Sequence, residues 1–352
     1  MPKPAEKLRG RGVPSNPTNR FASVTSEQFE DYDASEDPAP RTQFIPDASA
    51  SLITYNDSPD IPFTASVNVY RGCEHGCAYC YARPTHEFLG FSPGLDFETK
   101  IVVKYNAPEL LRRELSSLKW KPQTIAMSGV TDCYQPAERK LQLTRRVLEV
   151  LLEFRNPVGI VTKNHLVTRD VDLLAQLAKF NAAVVYLSLT TLDAELTPKL
   201  EPRASLPKMR LAAIRTLHDA GVPVGVMLAP MIPGLNDHEM PNLLAAAAEA
   251  GAQSAGLVPL RLPFAVKDIF SDWLTRHFPD RKENVLNRIR SLRGGKLNQA
   301  DFGARMHGEG IWAEQLQQIF RVAARKAGLN QRDYNLSTEH FRRPGGTQLS
   351  LL

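Results

Sequence analysis

RGCEHGCAYC, residues 71–80, follows directly on the short apolar run Ser66–Tyr70 and holds three of the chain's four cysteines. Cys73, Cys77 and Cys80 have the spacing C-x3-C-x2-C. A disulfide framework in a small secreted domain spaces its cysteines differently. Closely set thiols are soft metal ligands, suited to iron–sulfur clusters or zinc. Three of them can hold three irons of a [4Fe–4S] cubane and leave the fourth iron open to a small chelating molecule, by the logic of a catalytic metal with a free position. A structural zinc would need a fourth ligand, for which His75, His86 and Cys133 are the candidates. The chain lacks the second short ligand pair that zinc knuckles use. The cubane reading therefore stands ahead of zinc.

Outward from this loop a rhythm sets in. Short, nearly continuous apolar runs recur at Ser66–Tyr70, Thr124–Met127, Val158–Thr162, Ala183–Leu189, Val222–Leu228 and Ser254–Leu260. Such runs fit parallel strands covered on both faces. Helical patterns lie between them, at Ala137–Phe154, Arg169–Phe180, Pro207–Ala220 and Asp237–Ala250. Asn106 stands where a helix cap belongs, with Glu109 three residues on. Gly221 and Gly251 stand where C-terminal caps belong. Six strand–helix units imply an α/β fold with a parallel sheet, either an open doubly wound sheet or a partial (β/α)6 barrel of the TIM type. In both, function gathers at the carboxyl ends of the strands. The loops there are RGCEHGCAYC, SGVTDCYQP, TKNH, TTLD with LEPR, APMIPGLND and RLP.

The flanks differ. Residues 1–45 are poor in aliphatics, and Glu27 to Asp37 holds six acids and no base. Such composition buries too little apolar surface to offset ordering, so a disordered tail is expected, although RGRGVPSNPTNRF could dock on a partner or on the chain itself. Residues 46–265 form the expected core domain. Lys100–Tyr105 is a further apolar run, an edge strand or an irregular insertion. Residues 266–352 read as a small, mostly helical region. From Val266 onward there are fifteen Lys and Arg against nine Asp and Glu, in a chain of net charge +5. That surplus could meet a phosphate backbone or serve only as a solvated face. No apolar run is long enough for a bilayer, and the N-terminus has no apolar segment behind its bases, so no membrane partner and a cytoplasmic location are expected.

The cysteine loop resembles the signature of the radical S-adenosylmethionine (SAM) superfamily, C-x3-C-x-aromatic-C, with Tyr79 at the aromatic place. SGVTDCYQP, YLSLTTLD, and EPRAS leading to GVMLAPMIPGLND resemble more specifically the branch related to spore photoproduct lyase, over roughly residues 60–265. The resemblance implies a partial barrel, a [4Fe–4S] cluster, and SAM chelating the open iron. One electron from the cluster would then split SAM into methionine and a 5′-deoxyadenosyl radical that takes hydrogen from a substrate. It also implies an electron donor such as flavodoxin or ferredoxin. Tyr79 would face the adenine. Ser128, Gly129, Thr131 and Asp132 would lie along the methionyl part, with Gly129 allowing close backbone approach; Asp132 also reads as a helix cap before Pro136. Lys163 could reach a carboxylate, Ser188 the ribose, and Arg203 could clamp the SAM carboxylate or sit in a surface ion pair.

Cys133 and Tyr134 follow in a strand-end loop. A thiol there could return hydrogen to a product radical, with Tyr134 as a second relay, whereas free cysteines are also commonly buried and inert. The photolyase-like branch points to a nucleic-acid substrate, though fold kinship does not fix one. The competing class is a non-catalytic iron–sulfur or zinc module that binds nucleic acid. Such a module has no need of the polar loops at the other strand ends.

Overall fold

The computed structural model describes residues 10–22, 40–331 and 335–344. In chain order its elements are β1 (Gln43–Pro46), β2 (Ile53–Tyr55), β3 (Ala65–Val67), β4 (Tyr70–Arg71), α1 (Asp96–Thr99), β5 (Lys100–Val103), α2 (Ala107–Ser116), β6 (Ile125–Met127), α3 (Glu138–Leu141), α4 (Leu143–Phe154), β7 (Val158–Thr162), α5 (Val171–Ala178), β8 (Ala183–Ser188), α6 (Thr197–Leu200), α7 (Pro207–Asp219), β9 (Val224–Met231), α8 (Met240–Glu249), β10 (Ser254–Pro259), α9 (Val266–His277), α10 (Lys282–Ser291), α11 (Ala304–His307) and α12 (Ile311–Lys326). Among these no helix is long and apolar enough to cross a membrane.

One sheet runs β10-β9-β8-β7-β6-β3-β2. Its six strands β3, β6, β7, β8, β9 and β10 are parallel, and β2 pairs antiparallel at the edge. Successive parallel strands are also spatial neighbours, with no reversal of order. A doubly wound sheet reverses at its switch point. The winding is therefore that of a barrel left open between β10 and β2, the expected partial (β/α)6 fold. The central strands are apolar on both faces, as β8 shows with five of its six residues buried. The run at Lys100–Tyr105 supplies β5, the middle strand of a separate small sheet ordered β1-β5-β4.

Local chemistry moves several expected boundaries. The helical pattern at 137–154 is broken into α3 and α4 at Gln142, whose φ is +50°. Its cause is Glu138, which is fully buried and accepts from Tyr70 Oη, Arg169 Nη2 and the backbone N–H of Thr144. The pattern starting at Arg169 is preceded by a 3-10 turn, capped where Asn164 accepts from Leu166 N at 3.0 Å. Asn106 occupies its cap position without a side-chain cap bond.

The flanks differ from expectation as well. Residues 1–9 and 23–39 of the expected disordered tail lie outside the described residues. The rest of it is ordered, through polar contacts that composition does not reveal. Residues 43–46 are β1, paired with β5. Arg11 Nη1 donates to Glu98 O at 2.8 Å, Gly12 N to Glu98 Oε2 at 3.0 Å, and Leu95 N to Ser15 O at 3.0 Å. A Cβ on Gly12 would lie 1.7 Å from Gly76 O, so only glycine fits there. The C-terminal helices rest on the barrel: α9 and α10 share an apolar cluster with Cys77, Tyr79, Leu200 and Ile232, while α12 adds Ala313, Leu316 and Ala324 to the main core. Residues 332–334 and 345–352 lie outside the described residues.

Candidate active site

The cysteine loop leaves β4 at the carboxyl edge of the parallel sheet, and nearly every neighbouring strand-end loop grips it. Gly76 turns it in the left-handed region, with φ +67°. Cys73 N donates to Phe97 O at 2.9 Å, and Ala78 N to Leu200 O at 3.3 Å. Gln135, past β6, accepts from Glu74 N and donates to Gly72 O. The fully buried Arg83 donates to Cys77 O at 2.9 Å and pairs with Glu98 at 2.5 Å. Tyr81 Oη donates to Gly129 O at 2.7 Å.

Cys73 and Cys77 are buried and Cys80 partly so, all three as free thiols. Burial pushes each thiol up, and each interacts electrostatically with at least one of the others. Metal binding must therefore drive off their protons. Among the described residues no group of three or more His, Cys, Asp and Glu side chains closes around a point fit for one metal ion. Three neighbouring thiols on one loop are the donor type that iron–sulfur clusters take from proteins.

Two polar networks lie against this loop. In the first, Glu201 accepts from Tyr79 Oη, from Thr190 Oγ1 at 2.7 Å and from Arg210 Nη2, and lies 3.4 Å from Lys163 Nζ. Burial opposes its charge, but Arg210 and Lys163, with the Tyr79 and Arg210 hydrogen bonds, hold it well below the usual carboxylate range. Lys163 also donates to Ser188 Oγ and, at 2.9 Å, to Ala229 O. Two hydrogen bonds and the ion pair with Glu201 thus hold the ammonium within the protein.

In the second network, Asp132 accepts from Tyr134 N, Thr162 Oγ1 and Lys163 N, each at 2.8 Å. Its other neighbour is His75 of the cysteine loop, with Nδ1 at 3.4 Å. Asn164 Nδ2 lies 3.1 Å from His75 Nε2 and donates there, which places the ring proton on Nδ1 facing Asp132. Burial keeps His75 neutral by pushing its pKa down.

The expected site residues thus fall into distinct groups. Tyr79, Lys163 and Ser188 come together around Glu201. Asp132 is a hub that stitches three loops rather than a simple cap. Arg203 is held by Glu74, Nη1 to Oε1 at 2.8 Å, with its backbone N–H on His75 O. Thr131 Oγ1 is taken by Tyr70 O at 2.8 Å. Gly129 has ordinary space around its Cβ position, and the left-handed residue of that loop is Ser128, at φ +75°. Cys133 and Tyr134 are 2% and 0% exposed and belong to the main core; Tyr134 Oη donates to Asp170 at 3.1 Å. The thiol is thus enclosed and the phenol bound to a carboxylate. Glu201 and Arg210 were not among the expected site residues, and His75 entered only as a candidate fourth ligand for zinc.

His86, in the 3-10 turn Arg83–Leu89, gives this region a pH dependence. It is fully buried, Nε2 donates to Lys100 O at 3.0 Å, and Nδ1 has no partner. Burial pushes its pKa from 6.5 to about 4. Between those values the unfolded chain binds a proton that the folded chain refuses, so stability falls as pH drops from 6.5 to about 4. Thermal unfolding is expected several degrees lower near pH ~5 than near pH ~7, and His86→Gln is expected to flatten that slope. An unchanged slope in the variant would place the proton elsewhere.

Residues 67–247 match the family model of the Radical SAM superfamily. An uncharacterized protein of Mycobacterium tuberculosis (strain ATCC 25618 / H37Rv) is 39% identical over 234 residues, 66% of this chain and 68% of that protein. An uncharacterized protein of Methanocaldococcus jannaschii is 34% identical over 173 residues, 49% of this chain and 62% of that one. Among solved structures, spore photoproduct lyase complexed with dinucleoside spore photoproduct is similar in fold, with a TM-score of 0.58 at 16% identity, covering 81% of this chain and 80% of that one. A variant of the same lyase was solved with bound AdoMet and the dinucleoside, at a TM-score of 0.55 and 15% identity over the same shares of the two chains.

Proposed function

The chain belongs to the radical SAM superfamily, and we propose that it is an enzyme holding a [4Fe–4S] cluster on Cys73, Cys77 and Cys80, cleaving SAM reductively, and taking hydrogen from a nucleic-acid substrate. The observation that carries this reading is the set of three free thiols on one loop at the carboxyl edge of a six-strand parallel half-barrel. When bound, the cluster supplies one electron that splits SAM into methionine and a 5′-deoxyadenosyl radical.

This chain's own residues shape the place where that happens. Asp132 and Asn164 fix His75, and so the bend between Cys73 and Cys77. Glu201 fixes the Tyr79 ring, which would face the adenine of bound SAM. Lys163 and Ser188, satisfied by each other and by Ala229 O, wall the space for the ribose and methionyl part. The Ser128–Val130 stretch is the more open part of its strand-end loop and offers backbone to the SAM amino group. Arg203 is assigned to holding the loop through Glu74 rather than to the SAM carboxylate. A small flavodoxin or ferredoxin is the proposed reductant.

The nucleic-acid part draws support from the fold shared with spore photoproduct lyase and from the basic surplus after Val266. A non-catalytic metal module would have no use for the buried Glu201 and Asp132 networks. The test is anaerobic: protein reconstituted with iron and sulfide, reduced with dithionite, and given SAM with undamaged or ultraviolet-damaged oligonucleotides. Release of 5′-deoxyadenosine, read by mass spectrometry, is expected, with deuterium carried into it from labelled substrate. A full cluster that cleaves no SAM under any of these conditions would overturn the proposal.

A further inference from the structure

The loop leaving β10 alternates. Leu260 and Leu262 are buried, in the apolar cluster that also holds Cys77 and Tyr79. Phe264 instead stands 55% exposed, in the left-handed region at φ +50°, with the Arg20 guanidinium 3.7 Å from its ring centroid. A bulky residue held in that conformation with half its surface in solvent is strained, and the Arg20 contact is its main recompense. Between the two leucines lies Arg261. Its guanidinium is 5.6 Å from the ring centroid of Tyr81, the residue after Cys80, and Tyr81 is itself half-exposed.

Arg261 is the unusual group here. Its Nε is buried without a hydrogen-bond partner, and its Nη1 reaches only the sulfur of Met306, at 3.4 Å. Among the described residues no carboxylate lies within ion-pair distance of it. Of the neighbouring cations, Arg20 pairs with Glu87 at 2.8 Å and Arg305 with Asp60, while the buried Arg293 donates to the backbone carbonyls of Pro259, Leu260, Ala304 and Arg305. A partly buried cation left without an anion is destabilising unless a ligand brings the anion. An exposed ring against such a cation, with a second exposed ring three residues along the same loop, matches how single strands are held, with phosphate on the charge and bases stacked on aromatic faces. Bases within a duplex are already stacked and cannot use the rings.

We propose that Arg261, Tyr81 and Phe264 form the seat of a single-stranded nucleic-acid segment, a phosphodiester on Arg261 and bases against the two rings. The seat rests on the nucleic-acid reading above and gives it residues. Tyr81 spans the cysteine loop and the Ser128–Val130 loop through its bond to Gly129 O, so a base stacked on it is delivered beside the cluster ligands.

The test measures fluorescence anisotropy of a fluorescein-labelled oligothymidylate, with the full chain reconstituted anaerobically and the cluster absorbance of every variant checked. Phe264→Ala and Tyr81→Ala are each expected to weaken binding about 5-fold to 150-fold, the range of one lost stacking contact, while Tyr81→Phe keeps it. Arg261→Gln is expected to weaken binding and to lower the salt slope by about one. The complementary duplex should bind more weakly than the single strand. If the wild type binds the oligonucleotide and Phe264→Ala, Tyr81→Ala and Arg261→Gln all bind equally well, the seat is wrong while the nucleic-acid reading stands. If the wild type binds no oligonucleotide, both fall together.

Discussion

Cys77→Ala is expected to abolish 5′-deoxyadenosine formation and to leave the reconstituted protein with background iron. Cys77 is the middle thiol of the three, and its place is fixed from several sides. Its side chain packs with Tyr79 and Leu200, its carbonyl accepts from Arg83, and the next backbone N–H is held by Leu200 O. Two remaining thiolates cannot retain a cubane against competing chelators. Cys133→Ala is the matched control, because Cys133 lies in the main core with its thiol pushed up by burial and its carbonyl holding Thr144 Oγ1. That variant should keep its cluster. Iron lost from it would make Cys133 a fourth ligand and close the iron left open for SAM.

Glu201→Ala is expected to lower stability by about 3–5 kcal/mol, the usual consequence of stranding a buried charge. Glu201 is 1% exposed, and its removal leaves Arg210, also 1% exposed, without its carboxylate. Lys163 and the Tyr79 hydroxyl lose a partner in the same step. A domain is typically stable by about 5–15 kcal/mol, so the loss should shift the denaturant midpoint plainly. Arg112→Ala, which breaks the exposed Arg112–Glu153 pair, should cost no more than about 1 kcal/mol. The two variants differ in burial, and similar losses would contradict the network's role. The pH dependence has a definite sign. Because the folded protein holds Glu201 below its ordinary value of 4.5, its contribution is complete above that pH and is lost as pH falls further.

The cysteine loop and the parallel strands were legible because their signals are local. Three thiols within eight residues and short apolar runs at regular intervals keep their meaning whatever surrounds them. What periodicity could not decide, barrel or doubly wound sheet, is a matter of strand order and needed the pairings. Other features depend on partners far along the chain. Glu138 sits in an amphipathic pattern as an ordinary surface acid, yet Tyr70 and Arg169 draw it inward and break the helix at Gln142. The segment Arg11–Phe21 has the composition of a tail. It is ordered by carbonyls and carboxylates of residues 87–98, through backbone contacts that composition does not encode. Glu201 stood beside Arg203 in the EPR motif. Only the fold shows that the acid, not the neighbouring arginine, organises the pocket around Tyr79 and Lys163, and that Arg203 turns to Glu74.

The most direct test of the central claim, three thiolates holding a cubane with one iron open to SAM, is electron paramagnetic resonance of the dithionite-reduced protein before and after SAM is added. The assignment predicts the signal of a reduced [4Fe–4S] cluster whose g-values shift when SAM binds, and no such signal in Cys77→Ala. A cluster signal indifferent to SAM, or tightly bound zinc in place of iron, would contradict it.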